Sequence, residues 1–225
     1  YLIINEENNT ACVIDPSEAD PIIEYLENNA IKLKFILNTH HHYDHVGGNK
    51  KLKEKYGASV VGYSGDKQRI PEIDILLSDQ ETWIYENFEA KIIYIPGHTL
   101  GHICFYFYKE ESVFTGDTLF SLGCGRLFEG TYSQMFDSLM KLKKLPQNTK
   151  VYCGHEYTKK NSAFCIAHDP NNKNLKAKMD DINIKLNSGV PTIPSTIKDE
   201  LECNIFLRSS NVDAFSKLRD LKDNF

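Results

Sequence analysis

Short apolar runs that end on turn residues fill the first two-thirds of the chain, and helical spacing takes over in the last third. The chain opens on Tyr1-Leu2-Ile3-Ile4, a strand pattern without a preceding methionine, which reads as the remainder of a truncated hairpin. Residues 11–14 form a second apolar run and stop at Asp15-Pro16, a turn signal. Ile22, Ile23, Leu26 and Ala30 then fall at helical spacing, which predicts a helix over 21–29 with Asp20 as its N-cap. Phe35-Ile36-Leu37 predicts a short buried strand. A lysine-rich helix over 49–56 is expected to end at Gly57, a residue suited to a left-handed C-terminal position. Further strands are expected at 59–63, 82–85, 90–95, 102–108, 112–115 and 150–153, with Lys109-Glu110-Glu111 as a hairpin signal. After residue 156 the texture turns to Lys- and Asn-rich helical stretches, near 157–167, 174–188 and 211–222. The pattern predicts an α/β (α+β) sandwich, helices outside mixed sheets, over residues 1–156, and a small all-helical domain over 157–225.

Composition narrows the class without naming a function. The 225 residues are 41% apolar and 25% charged, ordinary for a folded protein with an adequate core. A net charge of −5 and a pI near 5.9 argue against nucleic acid as a partner, while leaving room for a local basic pocket. No apolar run approaches the ~18 residues that cross a bilayer, and no charged leader opens the chain, so a cytoplasmic protein without membrane contact is expected. Cys12, Cys104, Cys124, Cys153, Cys165 and Cys203 stand singly, with no Cys-x-x-Cys pair, and are expected to be reduced core thiols.

The histidines point to chemistry. Of the eight, four lie in His40-His41-His42-Tyr43-Asp44-His45, directly after a predicted strand. In extended backbone, alternate residues face the same way, so His40 and His42 point together and Asp44 continues the row. His45 joins them only if a helix begins at Val46-Gly47-Gly48. Three more strand ends carry similar groups: Pro96-Gly97-His98-Thr99-Leu100-Gly101-His102, Phe114-Thr115-Gly116-Asp117-Thr118 and Val151-Tyr152-Cys153-Gly154-His155. Imidazole and carboxylate are ligands for zinc and other borderline divalent ions. Solvated loops or satisfied core histidines account poorly for four strands that each end on such a group. Seven ligands exceed what one tetrahedral ion needs, so two ions are implied, with one aspartate able to bridge them. Two ions ~3.5–4 Å apart bring the pKa of water from 15.7 toward ~7, which suits hydrolysis of an ester, amide, thioester or phosphodiester.

His40-x-His42-x-Asp44-His45, followed in order by His98, Asp117 and His155, resembles the metallo-β-lactamase superfamily. The resemblance implies an αββα sandwich with a binuclear site at one edge. It implies that His40, His42 and His98 hold the first ion, Asp44, His45 and His155 the second, and that Asp117 bridges. His102 then lies behind the ligands and His41 is structural or faces solvent. Zinc leads for both ions, with iron and manganese suited to the same donors.

Local stretches choose within that superfamily. Gly123-Cys124-Gly125-Arg126-Leu127-Phe128-Glu129-Gly130-Thr131, Gly154-His155-Glu156-Tyr157-Thr158 and Pro191-Thr192-Ile193-Pro194-Ser195-Thr196 look like the glyoxalase II family, the hydroxyacylglutathione hydrolases. So do Asn204-Ile205-Phe206-Leu207-Arg208 and the tail Arg219-Asp220-Leu221-Lys222-Asp223-Asn224-Phe225. The likeness implies hydrolysis of S-(2-hydroxyacyl)glutathione, S-D-lactoylglutathione foremost, to D-lactate and glutathione in methylglyoxal detoxification, by a monomer. Catalysis would fall to Asp117, His40, His42, Asp44 and His45 through the ions they hold. The segment 157–225 becomes a glutathione-binding domain. Arg219 and Lys222, three apart on one helix face, would by themselves read as solvated; the likeness assigns them to the glycine carboxylate of glutathione. Tyr157 matches a glutathione-contacting tyrosine, and alone would read as a packed aromatic.

Two positions depart from the family pattern. Arg126 and Phe128 stand where many members have lysine and tyrosine. Arg126 keeps the charge and the main-chain donor, although arginine is not simply lysine. Phe128 lacks a hydroxyl, and the missing hydrogen bond is worth on the order of 0.5–1.5 kcal/mol of substrate affinity. Cys124 lies near this stretch, but nothing beside it in sequence lowers its pKa, so it is a poor nucleophile. Three rivals stay open on the sequence. A one-iron persulfide dioxygenase shares part of the ligand set but is disfavoured by the Arg219–Lys222 tail. A phosphodiesterase or RNA-processing enzyme wants a basic run that is missing. The third is a non-catalytic metal-binding scaffold.

Overall fold

A computed structural model describes all residues, Tyr1–Phe225. The chain divides into two compact units, residues 1–94 with 101–106 and residues 95–100 with 107–225. Residue 156 falls inside the second unit.

In the first unit, β1 (Leu2–Asn5) and β2 (Thr10–Ile14) pair antiparallel, with Leu2 opposite Val13. Helix α1 (Asp20–Asn28) carries the chain to β3 (Lys32–Leu37), parallel to β2. Helices α2 (Tyr43–Val46) and α3 (Asn49–Tyr56) lead on to β4 (Ser59–Tyr63), and β5 (Ile73–Leu77) completes a sheet in the order β1-β2-β3-β4-β5. Parallel neighbours require crossovers, which α1 supplies between β2 and β3, and α2 with α3 between β3 and β4. Every residue of β2 is buried, as its unbroken apolar run predicts for a strand covered on both faces. Leu26 of α1 and Leu52 of α3 close the core over Ala11, Val13, Ile36 and Val60. Gly57 ends α3 at φ 66, the left-handed conformation expected there.

The expected Asp20 cap is corrected: Ala19 occupies the N-cap position and Asp20 is already in the first turn, where it pairs with Lys51. Pro21 explains the shift, since proline suits the first helical positions, and an acidic first turn complements the helix dipole. Strands β6 (Thr82–Tyr85), β7 (Phe88–Tyr94) and β8 (Ile103–Phe107) follow as an antiparallel meander. The Phe35 ring of β3 meets Trp83 at 5.1 Å and Tyr85 at 4.4 Å, so the parallel sheet and the meander share a core.

In the second unit, β9 (Ser112–Gly116) is followed by a small hairpin, β10 (Leu119–Phe120) with β11 (Gly123–Cys124). Helix α4 (Tyr132–Leu142) starts at a Thr131/Gln134 capping box and buries Met135, Leu139 and Leu142 at helical spacing. Strand β12 (Lys150–Cys153) runs parallel to β9. Helices α5 (Thr158–His168), α6 (Lys173–Asn187) and α8 (Val212–Asp223) match the three expected helical stretches within a residue or two. Between α6 and α8 lie β13 (Ser195–Thr196), paired back onto β12, and α7 (Ile197–Cys203), which the apolar pattern did not predict. The helices close on Phe164, Phe206 and Phe215, all fully buried, with the Phe164 and Phe206 rings stacked at 5.7 Å.

One carboxylate is part of this second core. Glu200 of α7 is fully buried. Its Oε2 accepts from the Leu122 amide at 2.9 Å and from Asn204 Nδ2 at 2.8 Å, tying α7 to the β10–β11 hairpin. Burial pushes its carboxyl up to about 7, against the opposing hydrogen bonds.

Candidate metal centre

Each unit builds its own set of ligand-type side chains at strand ends. In the first unit, β3 ends at Leu37, the chain bends at Thr39 and His40, and His42 takes the N-cap position of α2 with φ −60 and ψ 144. The helix begins at Tyr43, earlier than the expected start at Val46, and this brings His45 round to His40. The His40 ring lies 4.7 Å from that of His42 and 4.2 Å from that of His45. Asp44 Oδ2 is 3.6 Å from His45 Nε2.

A residue outside the expected set orients these imidazoles. Asp15, at the end of β2 with φ 49, accepts from the Thr39 amide on Oδ1 at 2.8 Å. Its Oδ2 accepts from the Thr39 hydroxyl at 2.6 Å and lies 3.0 Å from His45 Nδ1. The Thr39 hydroxyl already donates its hydrogen to Asp15 in a hydrogen bond, so it accepts from His40 Nδ1 at 3.0 Å. Both rings are thereby held with Nδ1 protonated and Nε2 left as the donor for an ion. The ligand atoms of Asp15, His40 and His45 lie within 4.8 Å of one another, and with three hydrogen bonds to receive, Asp15 orients ligands and does not serve as one. Such outer partners are typically worth 10–100-fold in metal affinity. Asp15→Asn, which tolerates the positive φ but offers one acceptor oxygen, is therefore expected to weaken metal binding by about that factor in competition with a chromophoric chelator. Wild-type affinity in that variant would refute the role.

His41 is corrected. Its Nδ1 lies 3.1 Å from Asp66 Oδ2, a carboxylate only 1% exposed that Arg69 Nε also reaches at 3.1 Å, so the ring faces a buried acid and not solvent. His102 stacks on His40 at 4.6 Å.

In the second unit, Asp117 follows β9 directly, His155 stands two residues past β12, and His98 precedes β8. Asp117 Oδ2 sits between the two imidazoles, 3.6 Å from His98 Nε2 and 3.4 Å from His155 Nε2. His98 Nδ1 donates to the Arg126 carbonyl at 2.8 Å, which again leaves the Nε2 lone pair available to a cation. Gly125 lets the loop come this close: a Cβ there would meet the Asp117 carbonyl oxygen at 1.9 Å and His98 Nδ1 at 3.3 Å.

The residues expected to meet substrate also lie in the second unit. The half-exposed Tyr157 ring stacks on His155 at 5.1 Å. Phe128 is exposed, with its ring 5.2 Å from that of His98. Arg126 Nε donates to Asp223 Oδ1 at 3.1 Å. Arg219 is buried: it donates to the Cys124 carbonyl at 2.8 Å and to Asp223 Oδ1 at 2.9 Å. Lys222 Nζ donates to the Lys160 carbonyl at 3.3 Å and lies 5.1 Å from the Phe164 ring; burial, then the Arg219 charge, hold its ammonium below the usual range. Cys124 is buried and its thiol is pushed up by burial, with Arg219 opposing.

Imidazole Nε2 atoms and carboxylate oxygens at these positions fit a divalent cation. Residues 156–225 match the family model "Hydroxyacylglutathione hydrolase C-terminus", and residues 1–80 and 68–155 match "Metallo-beta-lactamase superfamily". A hydroxyacylglutathione hydrolase of Pelagibacter ubique is 74% identical over 225 residues, all of this chain and 94% of that protein. This chain belongs to the hydroxyacylglutathione hydrolase family. It is a hydrolase with the metallo-β-lactamase fold and the C-terminal segment particular to hydroxyacylglutathione hydrolases. Among solved structures, ETHE1 from Myxococcus xanthus is similar with a TM-score of 0.75 and 25% identity, over 98% of this chain and 84% of that one. TTHA1623, solved in a di-iron-bound form, is similar with a TM-score of 0.56 and 28% identity, over 69% of this chain and 85% of that one. No helix is long and apolar enough to cross a membrane.

Proposed function

We propose that this hydrolase cleaves S-(2-hydroxyacyl)glutathione, S-D-lactoylglutathione foremost, to D-lactate and glutathione, using two divalent ions, and so serves methylglyoxal detoxification. His40, His42 and His98 would hold one ion, Asp44, His45 and His155 the other, with Asp117 between them. Zinc leads for both positions. Residues 1–156 would carry the chemistry and 157–225 the hold on glutathione, in a single chain working in the cytoplasm, where six buried free thiols stay reduced. What carries the reading is a set of contacts within the second unit: residues assigned to glutathione touch metal ligands directly. Tyr157 stacks on His155, and the Arg126 carbonyl accepts a hydrogen bond from His98 Nδ1.

When bound, the two ions supply a water activated at neutral pH and polarise the thioester carbonyl. The chain's own groups prepare that chemistry. Asp15 and the Arg126 carbonyl fix the tautomers of His45 and His98. Arg126, Arg219 and Lys222 supply positive charge for the carboxylates of glutathione, and Tyr157 and Phe128 offer ring surface beside His155 and His98. One water is consumed as a C–O bond forms and the C–S bond breaks. The sulfur leaves as a thiolate, whose low basicity removes the need for a dedicated acid. Buried Cys124 takes no part.

Loss of the thioester ultraviolet absorbance of S-D-lactoylglutathione tests this directly. Hydrolysis is expected with purified protein, abolished by chelation and restored by zinc, iron or manganese. A metal-replete protein that leaves the thioester intact would overturn the reading and make oxygen uptake with glutathione persulfide the next assay.

A further inference from the structure

We propose that Asp223 is a positioning residue that aims Arg126 at the glycine carboxylate of glutathione, an inference that rests on the substrate reading above. A single oxygen, Asp223 Oδ1, accepts from both Arg126 Nε and Arg219, and the two guanidiniums are used very differently. Arg219 spends its hydrogen bonds within the protein and offers a ligand its charge alone. Its side chain is 5% exposed, one terminal nitrogen is on the Cys124 carbonyl and the other on Asp223, and its Nε is buried without a partner. Arg126 is 56% exposed and is held through Nε alone, so both of its terminal nitrogens remain open. Those two nitrogens are the end of the fork that takes a carboxylate in two parallel hydrogen bonds.

The contact therefore reads as an aiming device. An arginine side chain on a loop samples many rotamers, and a tether at Nε removes that freedom before the ligand arrives. The loop itself is already fixed from its other side, because the Arg126 carbonyl holds His98. Arg219 completes the device from below, since its bonds to Cys124 and Asp223 hold the carboxylate that holds Arg126. A partly exposed ion pair contributes little to stability, so its effect belongs in substrate binding. It also gives the Arg126 departure a function that lysine, with a single nitrogen, could not divide between tether and ligand.

Steady-state kinetics on the metal-loaded protein with S-D-lactoylglutathione tests the assignment through Arg126→Ala, Asp223→Ala, Asp223→Asn and the Arg126→Ala/Asp223→Ala pair. Each alanine variant is expected to raise KM about five- to tenfold with kcat within about twofold, and the pair to raise it no further than Arg126→Ala alone. Asparagine keeps an acceptor for Nε and is expected to restore KM to within about twofold of wild type. An Asp223→Ala KM at or below wild type, with Arg126→Ala raised, overturns the positioning role while leaving Arg126 as a substrate contact. Additive effects in the pair overturn it as well. A wild-type KM in Arg126→Ala removes Arg126 from the substrate site and the inference with it, whereas absence of hydrolysis in the unaltered protein refutes the substrate reading itself.

Discussion

Asp117→Ala is expected to fold, to lose most of its metal and to fall at least ~100-fold in kcat/KM, the upper end of what even outer-shell substitutions cost. The expectation follows from where the carboxylate stands. Its Oδ2 lies 3.6 and 3.4 Å from the Nε2 atoms of His98 and His155, so one anion serves two imidazoles assigned to different ions. Two cations at short range repel, and an anion between them offsets that repulsion while fixing their separation. Alanine removes the anion and leaves neutral donors facing one another, an arrangement the unloaded chain tolerates. The fold should persist, because the loop geometry around Asp117 depends on backbone contacts such as that between Gly125 and the Thr118 carbonyl, at 3.1 Å. Metal content by emission spectrometry, thermal unfolding and turnover separate these effects. Retained turnover in a folded variant would sink the binuclear assignment.

Glu200→Gln is expected to alter the pH dependence of stability by on the order of 3 kcal/mol. The buried carboxyl titrates near 7 in the folded chain against a usual 4.5, so between those values the folded state binds the proton that the unfolded state has released. Wild-type stability from this group therefore falls as pH rises from about 4.5 to about 7, and is independent of pH below that window. At roughly 1.4 kcal/mol per pKa unit, the full swing is about 3 kcal/mol. Glutamine keeps an acceptor for Leu122 and Asn204 but never ionises. The difference in unfolding free energy, variant minus wild type, should rise by that amount between pH 4 and pH 8 in denaturant titrations of metal-free protein. A difference flat across this range would show that Glu200 stays ionised in the fold.

Much of the architecture was legible because the relevant signals are local. The unbroken apolar run of β2 announced a strand covered on both faces, Gly57 announced the end of α3, and the strand-end positions of His98, Asp117 and His155 could be read from where apolar runs stop. What escaped was what depends on contacts across the chain. Asp15 looked like half of an Asp-Pro turn, and only the approach of Thr39 and His45 makes it an orienting carboxylate. Asp66 carried no sequence signal at all until His41 was seen beside it. Helix α7 had a readable mark, the Thr196/Asp199 capping box, but seven residues are too few for an apolar period to register. Asp20 was misplaced because a capping residue and a first-turn acid look alike one position from a proline.

The burial of all six cysteines has a consequence for the company this enzyme keeps. On the proposed reaction it works in a pool of glutathione, and wherever that pool is oxidised it meets the disulfide. Mixed-disulfide formation requires an accessible thiolate. Burial pushes Cys153, Cys165 and Cys203 up to about 12 and raises Cys12 and Cys124 as well, so neither ionisation nor access is on offer. On that proposed reaction the catalyst is built from sulfur that cannot trade with the thiol it releases, and an oxidised glutathione pool leaves it in working order.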